Sequence, residues 1–83
     1  MQNVYQFAIR AQCPLHAELI DVYDVTIRTQ ATIKVESILQ WFKQYESRQI
    51  LQEDLTKESA VGLGVHVETA GIHSGVKVTS VAP

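Results

Sequence analysis

Twice along this chain the spacing of apolar residues changes period, and that pattern constrains the fold more than any other feature. From Val4 to Gln12, Tyr5, Phe7, Ile9 and Ala11 alternate with Gln6, Arg10 and Gln12, the two-residue period of a half-buried strand. Cys13-Pro14 interrupts it, because proline cannot donate to a strand ladder. Alternation resumes from Ile20 to Thr29, with Tyr23, Val25 and Ile27 on one face and Val22, Asp24, Thr26 and Arg28 on the other. The first pair therefore reads as a hairpin connected by Cys13 to about Leu19. The period then turns helical. Val35, Ile38, Leu39, Phe42 and Tyr45 form one apolar stripe. A second helix is expected from about Gln52 to Gly62, with a weaker stripe of Leu51, Leu55 and Leu63. Glu53 and Asp54 sit in its first turn, where the helix dipole favours acids, and Gly62 and Gly64 suit its exit. Finally the two-residue period returns. Val65, Val67 and Thr69 alternate with His66 and Glu68, and Val76, Val78 and Ser80 with Lys77 and Thr79. Gly71 and Gly75 bracket a turn, Ile72-His73-Ser74, closing a second hairpin.

The order ββααββ predicts one α+β domain over residues 1–83, an antiparallel four-stranded sheet with both helices on one face. A ferredoxin-like domain would need βαβ crossovers, which this order lacks. Two open sheet edges are a liability unless paired, and a chain this short buries only about 60% of the surface its unfolded form exposes. Small scaffolds add disulfides, a metal or oligomerisation. Cys13 is the only cysteine, so an internal disulfide is excluded and a metal or self-association remains. Pairing the edges between subunits would close a barrel.

A single thiol, with no leader and no run approaching the ~20 apolar residues of a membrane span, fits a cytoplasmic protein. Seven basic and nine acidic residues give a net charge of −2 with no basic cluster. That excludes the footprint of a nucleic-acid binder, and no helix carries the Lys/Arg-rich face of a membrane-surface binder.

Several residues could carry chemistry. Cys13 and His16 stand three apart at a hairpin tip and could share Zn²⁺. Alternatively Cys13 is a nucleophile activated by a nearby cation, or a half-buried cysteine beside a surface histidine. Glu36-Ser37 opens the first helix and Gln52-Glu53 the second. Such carboxylates serve either as dipole partners or, for Glu53, as acceptors from an amino-pyrimidinone edge. His73, in its glycine-flanked turn, suits proton transfer near neutral pH, or is a surface loop histidine. Asp21 and Asp24 read as solvated strand residues, and Trp41 and Phe42 as packing residues of a core or subunit interface.

Together these residues resemble the tunnelling-fold superfamily, in the branch holding GTP cyclohydrolase I and the nitrile reductase of the queuosine pathway (7-cyano-7-deazaguanine reductase). Gln52-Glu53-Asp54-Leu55-Thr56, then Leu63-Gly64-Val65 and His73, are similar to the cyclohydrolase run in which a Gln-Glu pair holds the guanine edge and a histidine assists proton transfer. Cys13-x-x-His16 is similar to that family's zinc pair. Cys13-Pro14, Asp21, Glu36-Ser37, Glu53 and Gly75-Val76-Lys77-Val78 resemble the reductase, whose cysteine attacks a nitrile to form a thioimide, whose aspartate moves protons, and whose glutamate reads a deazapurine.

The departures divide the two readings. Gly75 stands where the cyclohydrolase has its third zinc ligand, and Ser37, Gln40 and Thr79 replace its phosphate-binding cations. Against the reductase, Asp21 is displaced by one residue, Gln52 replaces a histidine, and the arginine of the last turn is absent, which weakens the case for NADPH. The resemblance implies an enzyme that binds a guanine-like bicycle, a 7-deazaguanine or a pterin, at a subunit boundary. Its catalytic residues would be Cys13, Asp21 and His73, and its substrate-binding residues Glu36, Ser37, Gln52 and Glu53. The nitrile chemistry leads. Zinc on Cys13 and His16, and a non-catalytic ring that only binds the base, are the alternatives.

Overall fold

The structure, a computed structural model, describes residues 1–16 and 18–83; Ala17, in the first hairpin connection, lies outside them. Its elements are β1 (Asn3–Gln12), β2 (Ile20–Thr29), α1 (Val35–Lys43), α2 (Gln52–Leu63), β3 (His66–His73) and β4 (Val76–Ala82). The strands pair antiparallel in the order β1-β2-β3-β4, so β1 and β4 are the edges. This is the expected ββααββ arrangement of the tunnelling fold.

Alternation explains the core. Tyr23, Val25 and Ile27 of β2 and Val67 of β3 are at most 1% exposed, all on one face of the sheet. The helices cover them with Ile38 and Phe42 from α1 and Leu55 and Ala60 from α2. Full burial of a side chain such as Ile27 or Leu55 stabilises by about 1.5–3 kcal/mol. Phe42 meets the partly buried Phe7 edge to face, with ring centroids 5.1 Å apart, the arrangement the ring quadrupoles favour.

The departures from expectation have packing reasons. In α1, Ile38 and Phe42 are buried but Val35 and Leu39 are exposed, because the helix turns a narrower stripe to the sheet than its apolar residues define. Tyr45 lies past the end of α1 yet is fully buried. Gly62 is inside α2, where a Cβ would fall 2.0 Å from Cη2 of Trp41. The helix exit is Gly64, left-handed at φ 67°. The second hairpin is tighter than the glycines imply: β3 runs through Gly71 and Ile72 to His73, and the turn is Ser74-Gly75. Both turn residues have positive φ, as two-residue hairpin turns often require. Gly71 does not break the strand; it leaves room for the Tyr23 ring.

The α1–α2 connection is anchored twice. Arg48 donates to both oxygens of Glu58, at 2.7 and 3.0 Å, while the Tyr45 hydroxyl donates to Glu58 and the Trp41 indole N–H to Ser59. On its other side, the Gln12 N–H donates to the Arg48 carbonyl at 3.1 Å, and Gln12 bridges Gln49. Cys13 is thereby tied beside the start of α2, its own N–H closing the hairpin connection on the Leu19 carbonyl at 3.0 Å.

Candidate functional site

Four separate segments end at one place. Cys13 follows the end of β1, Asp21 is the second residue of β2, Gln52 and Glu53 open α2, and His73 ends β3. All five line one depression of about 400 Å³. Tyr23 joins them, and Pro14, Leu15, Leu51, Val78 and Ser80 complete the wall. A volume of this order is at the small end of ligand pockets.

Asp21 is the hub of its acidic side. Its side chain is only 15% exposed, contrary to the solvated strand residue expected, because it shares the inward face of β2 with Tyr23. The Tyr23 hydroxyl donates to Oδ2 at 3.2 Å. Burial pushes the Tyr23 phenol far above its ordinary pKa, reinforced by the Asp21 charge, its hydrogen bond and Cys13. Tyr23 is therefore a fixed neutral donor to Asp21. On the other oxygen, Oδ1 lies 4.0 Å from Nδ1 of His73. His73 is held from behind, its Nε2 2.8 Å from Oε1 of Gln52.

Gln52 itself is buried, at 6% exposure. Its amide nitrogen donates toward the carbonyls of Val78 and Thr69 and the Thr69 hydroxyl. Both ends of the amide are thus engaged within the protein, its nitrogen by Val78 and Thr69 and its oxygen by His73. Glu53, the next residue, is exposed at the rim with no ion pair among the described residues. Its carboxylate is a free acceptor at the rim of the depression.

The remaining expected residues lie elsewhere. Glu36 and Ser37 are exposed in the first turn of α1 and do not line the depression. His16 is exposed and faces Glu18 at 3.8 Å. Among the described residues of one chain no three His, Cys, Asp or Glu side chains converge as a metal would need, so the Cys13–His16 pair gains no third ligand from within that chain.

The phosphates of a nicotinamide cofactor would call for nearby cations. Among the described residues, no Lys or Arg lines the depression. A broader, adjoining hollow of about 840 Å³ contains Arg48 and Lys57, but Arg48 is committed to Glu58, and Asp54 and Glu58 line the same surface. Bound phosphates would meet as many acids as bases there.

Three contributors were not singled out from the sequence: Tyr23, Thr56 and Thr69. Tyr23 carried a usable signal, since it lies two residues from Asp21 on the same strand and so shares its face. Thr56 stands in the Gln52–Thr56 run, but nothing in the sequence pairs it with Thr69. Their hydroxyls meet at 2.6 Å across the helix–sheet interface, a contact that only packing creates.

No family model matches the chain, and no curated protein matches it by sequence. Among solved structures, the crystal structure of the archaeosine synthase QueF-Like in the apo form matches with a TM-score of 0.88 over 98% of this chain and 90% of that chain, at 21% identity. The two proteins share a fold, and the ββααββ architecture read from the apolar periods is the one that this solved structure also has.

Proposed function

We propose that the chain binds a guanine-like bicyclic base, a 7-cyano-7-deazaguanine, and adds the Cys13 thiol to its nitrile. The observation that carries this reading is the convergence of Cys13, Asp21, Glu53 and His73 on one depression. A thiol, a proton-handling pair and a free carboxylate are the groups such a reaction needs. The likeness to a protein named archaeosine synthase QueF-Like supports a modified guanine as the ligand.

Glu53 accepts two hydrogen bonds from the amino-imino edge of the base, which places the base against the start of α2. Cys13 Sγ then bonds to the nitrile carbon. One C–N π bond breaks, and the thiol proton ends on the nitrile nitrogen, giving a thioimide. This step is an addition and needs no oxidant or reductant. Attack by an amine or a hydride on the thioimide carbon would then separate an amidine product from a reduced one.

The depression opens at the sheet edge, since Val78 and Ser80 of β4 form part of its wall. A neighbouring copy pairing β1 against β4 would continue the sheet, protect both edges and complete the site at a subunit boundary.

The test is mass spectrometry of denatured protein after incubation with 7-cyano-7-deazaguanine. The expected result is a covalent gain of one intact base, abolished by Cys13→Ala and retained by His16→Ala. No adduct, together with one zinc per subunit lost in both variants, would replace this reading with zinc-assisted ring hydrolysis. Tight binding of the base with neither adduct nor metal would identify a non-catalytic binding ring.

A further inference from the structure

The Gln52 carboxamide can be oriented in only one way. Its nitrogen lies 2.9 Å from the Val78 carbonyl oxygen and 3.2 Å from that of Thr69. Carbonyl oxygens only accept, so the NH₂ group must face them. Turning the amide over would set its oxygen against two others inside a buried site, where unpaired polar groups are strongly disfavoured.

A directional ring of hydrogen bonds secures the same orientation. The Thr56 hydroxyl must donate to the Gln52 backbone carbonyl, 2.7 Å away. The Thr69 hydroxyl then donates to Thr56 at 2.6 Å, and Thr69 Oγ1 is left to accept from the Gln52 amide at 3.2 Å. Every buried side-chain polar atom among the described residues has a partner.

The consequence falls on His73. With its nitrogen engaged, Gln52 presents Oε1 to His73 Nε2 at 2.8 Å. Oε1 can only accept, so Nε2 must carry a hydrogen, and in the neutral ring Nδ1 is a lone pair. Nδ1 is the ring nitrogen turned toward Asp21 Oδ1, 4.0 Å away. The other oxygen of that carboxylate is occupied by Tyr23.

We infer that Gln52 is a positioning residue that locks His73 in the Nε2–H tautomer, so that Nδ1, backed by Asp21, takes and returns the proton in the nitrile addition. This rests on the nitrile reading of the site. The Cys13 S–H proton passes to Nδ1 as the S–C bond forms, and Asp21 balances the imidazolium charge. The same proton then passes to the nitrile nitrogen, and His73 ends as it began. Gln52 touches no reacting atom; it acts only through the imidazole.

The experiment has a spectroscopic arm and a kinetic arm. Long-range ¹H–¹⁵N correlation spectra of histidine-labelled protein, without ligand, should show neutral His73 with its hydrogen on Nε2 and that hydrogen protected from exchange. Gln52→Met should lose the protection. In the adduct assay Gln52→Met should slow addition by about tenfold or more, less than the 10²–10⁴ that a positioned acid–base group itself supplies. The Gln52→Met/His73→Ala pair should be no slower than His73→Ala alone. A wild-type His73 with its hydrogen on Nδ1 overturns the inference even where the variant fails to fold, as do single-variant losses that multiply. An Nε2–H His73 in a protein that forms no adduct would sink the nitrile reading and the proton-transfer role while leaving the tautomer lock standing.

Discussion

Replacing Gly71 by alanine sets two effects of opposite sign against each other. Alanine in a strand interior is more stable than glycine by roughly 0.5–1 kcal/mol, because glycine loses more backbone freedom on folding. Here, however, the new Cβ would lie 2.5 Å from Cδ1 and 2.7 Å from Cε1 of Tyr23. That ring is 1% exposed, so it cannot slide into solvent, and such overpacking typically costs about 1–3 kcal/mol. Moving the ring also pulls its hydroxyl off Asp21, a bond of 3.2 Å. Hydrogen bonds to charged groups contribute roughly 1.5–3 kcal/mol when lost completely, and less when water replaces the donor. The clash outweighs the propensity gain, and the expected net destabilisation is about 1–4 kcal/mol. Urea unfolding followed by far-ultraviolet circular dichroism, at one fixed protein concentration, measures it. In a Tyr23→Leu background the same substitution should become neutral or stabilising. A Gly71→Ala midpoint at or above wild type would refute the reasoning, since Tyr23 would then have room that the packing denies it.

Glu53→Gln should weaken binding of 7-cyano-7-deazaguanine by about 1.5–3 kcal/mol, the value of a charge-assisted hydrogen bond; unchanged affinity by calorimetry would reduce Glu53 to a helix-dipole partner. Gly62→Ala, inside a helix, should destabilise despite the better propensity of alanine, because its Cβ would meet the ring of Trp41. Trp41 is the only tryptophan, so its fluorescence reports the displacement directly, and an unshifted spectrum with raised stability contradicts the contact. The Arg48 hydrogen bonds hold the Glu58 carboxyl below the usual range against the opposing effect of burial, with lesser help from the Tyr45 hydroxyl and the Arg48 charge. Its contribution is therefore complete above the unfolded carboxyl pKa and is lost as pH falls through the lower folded one. It should be small and salt-sensitive, because both partners are partly exposed; acid titration of Glu58→Gln should be flatter in that window, and an identical profile would remove the claim. Sedimentation should show self-association with both sheet edges paired, and a folded monomer at micromolar concentration would exclude the ring.

The succession of apolar periods was enough to determine strand, helix and their order. Side chains alternate on a strand and recur every third or fourth residue on a helix, so Tyr23, Val25 and Ile27 declare their buried face without any tertiary information. Glu53 and Cys13 were also legible as candidates, from residue type and from their places at a helix start and a hairpin tip. Gly71 and Gly62 were not legible in their true roles. A glycine that opens a turn and one that makes way for an aromatic ring look identical in sequence, and only the positions of Tyr23 and Trp41 distinguish them. The internal hydrogen bonding of Gln52 has the same origin. Its position beside Glu53 suggested a second base contact, but an amide bonds to whatever packing brings within reach. The carbonyls of Thr69 and Val78 and the ring of His73 come from residues 17 to 26 positions away. Local periodicity reports what a residue's own backbone does, whereas hydrogen-bond partners and ring clearances depend on which distant segments the folded sheet and helices bring together, and only the tertiary structure decides that.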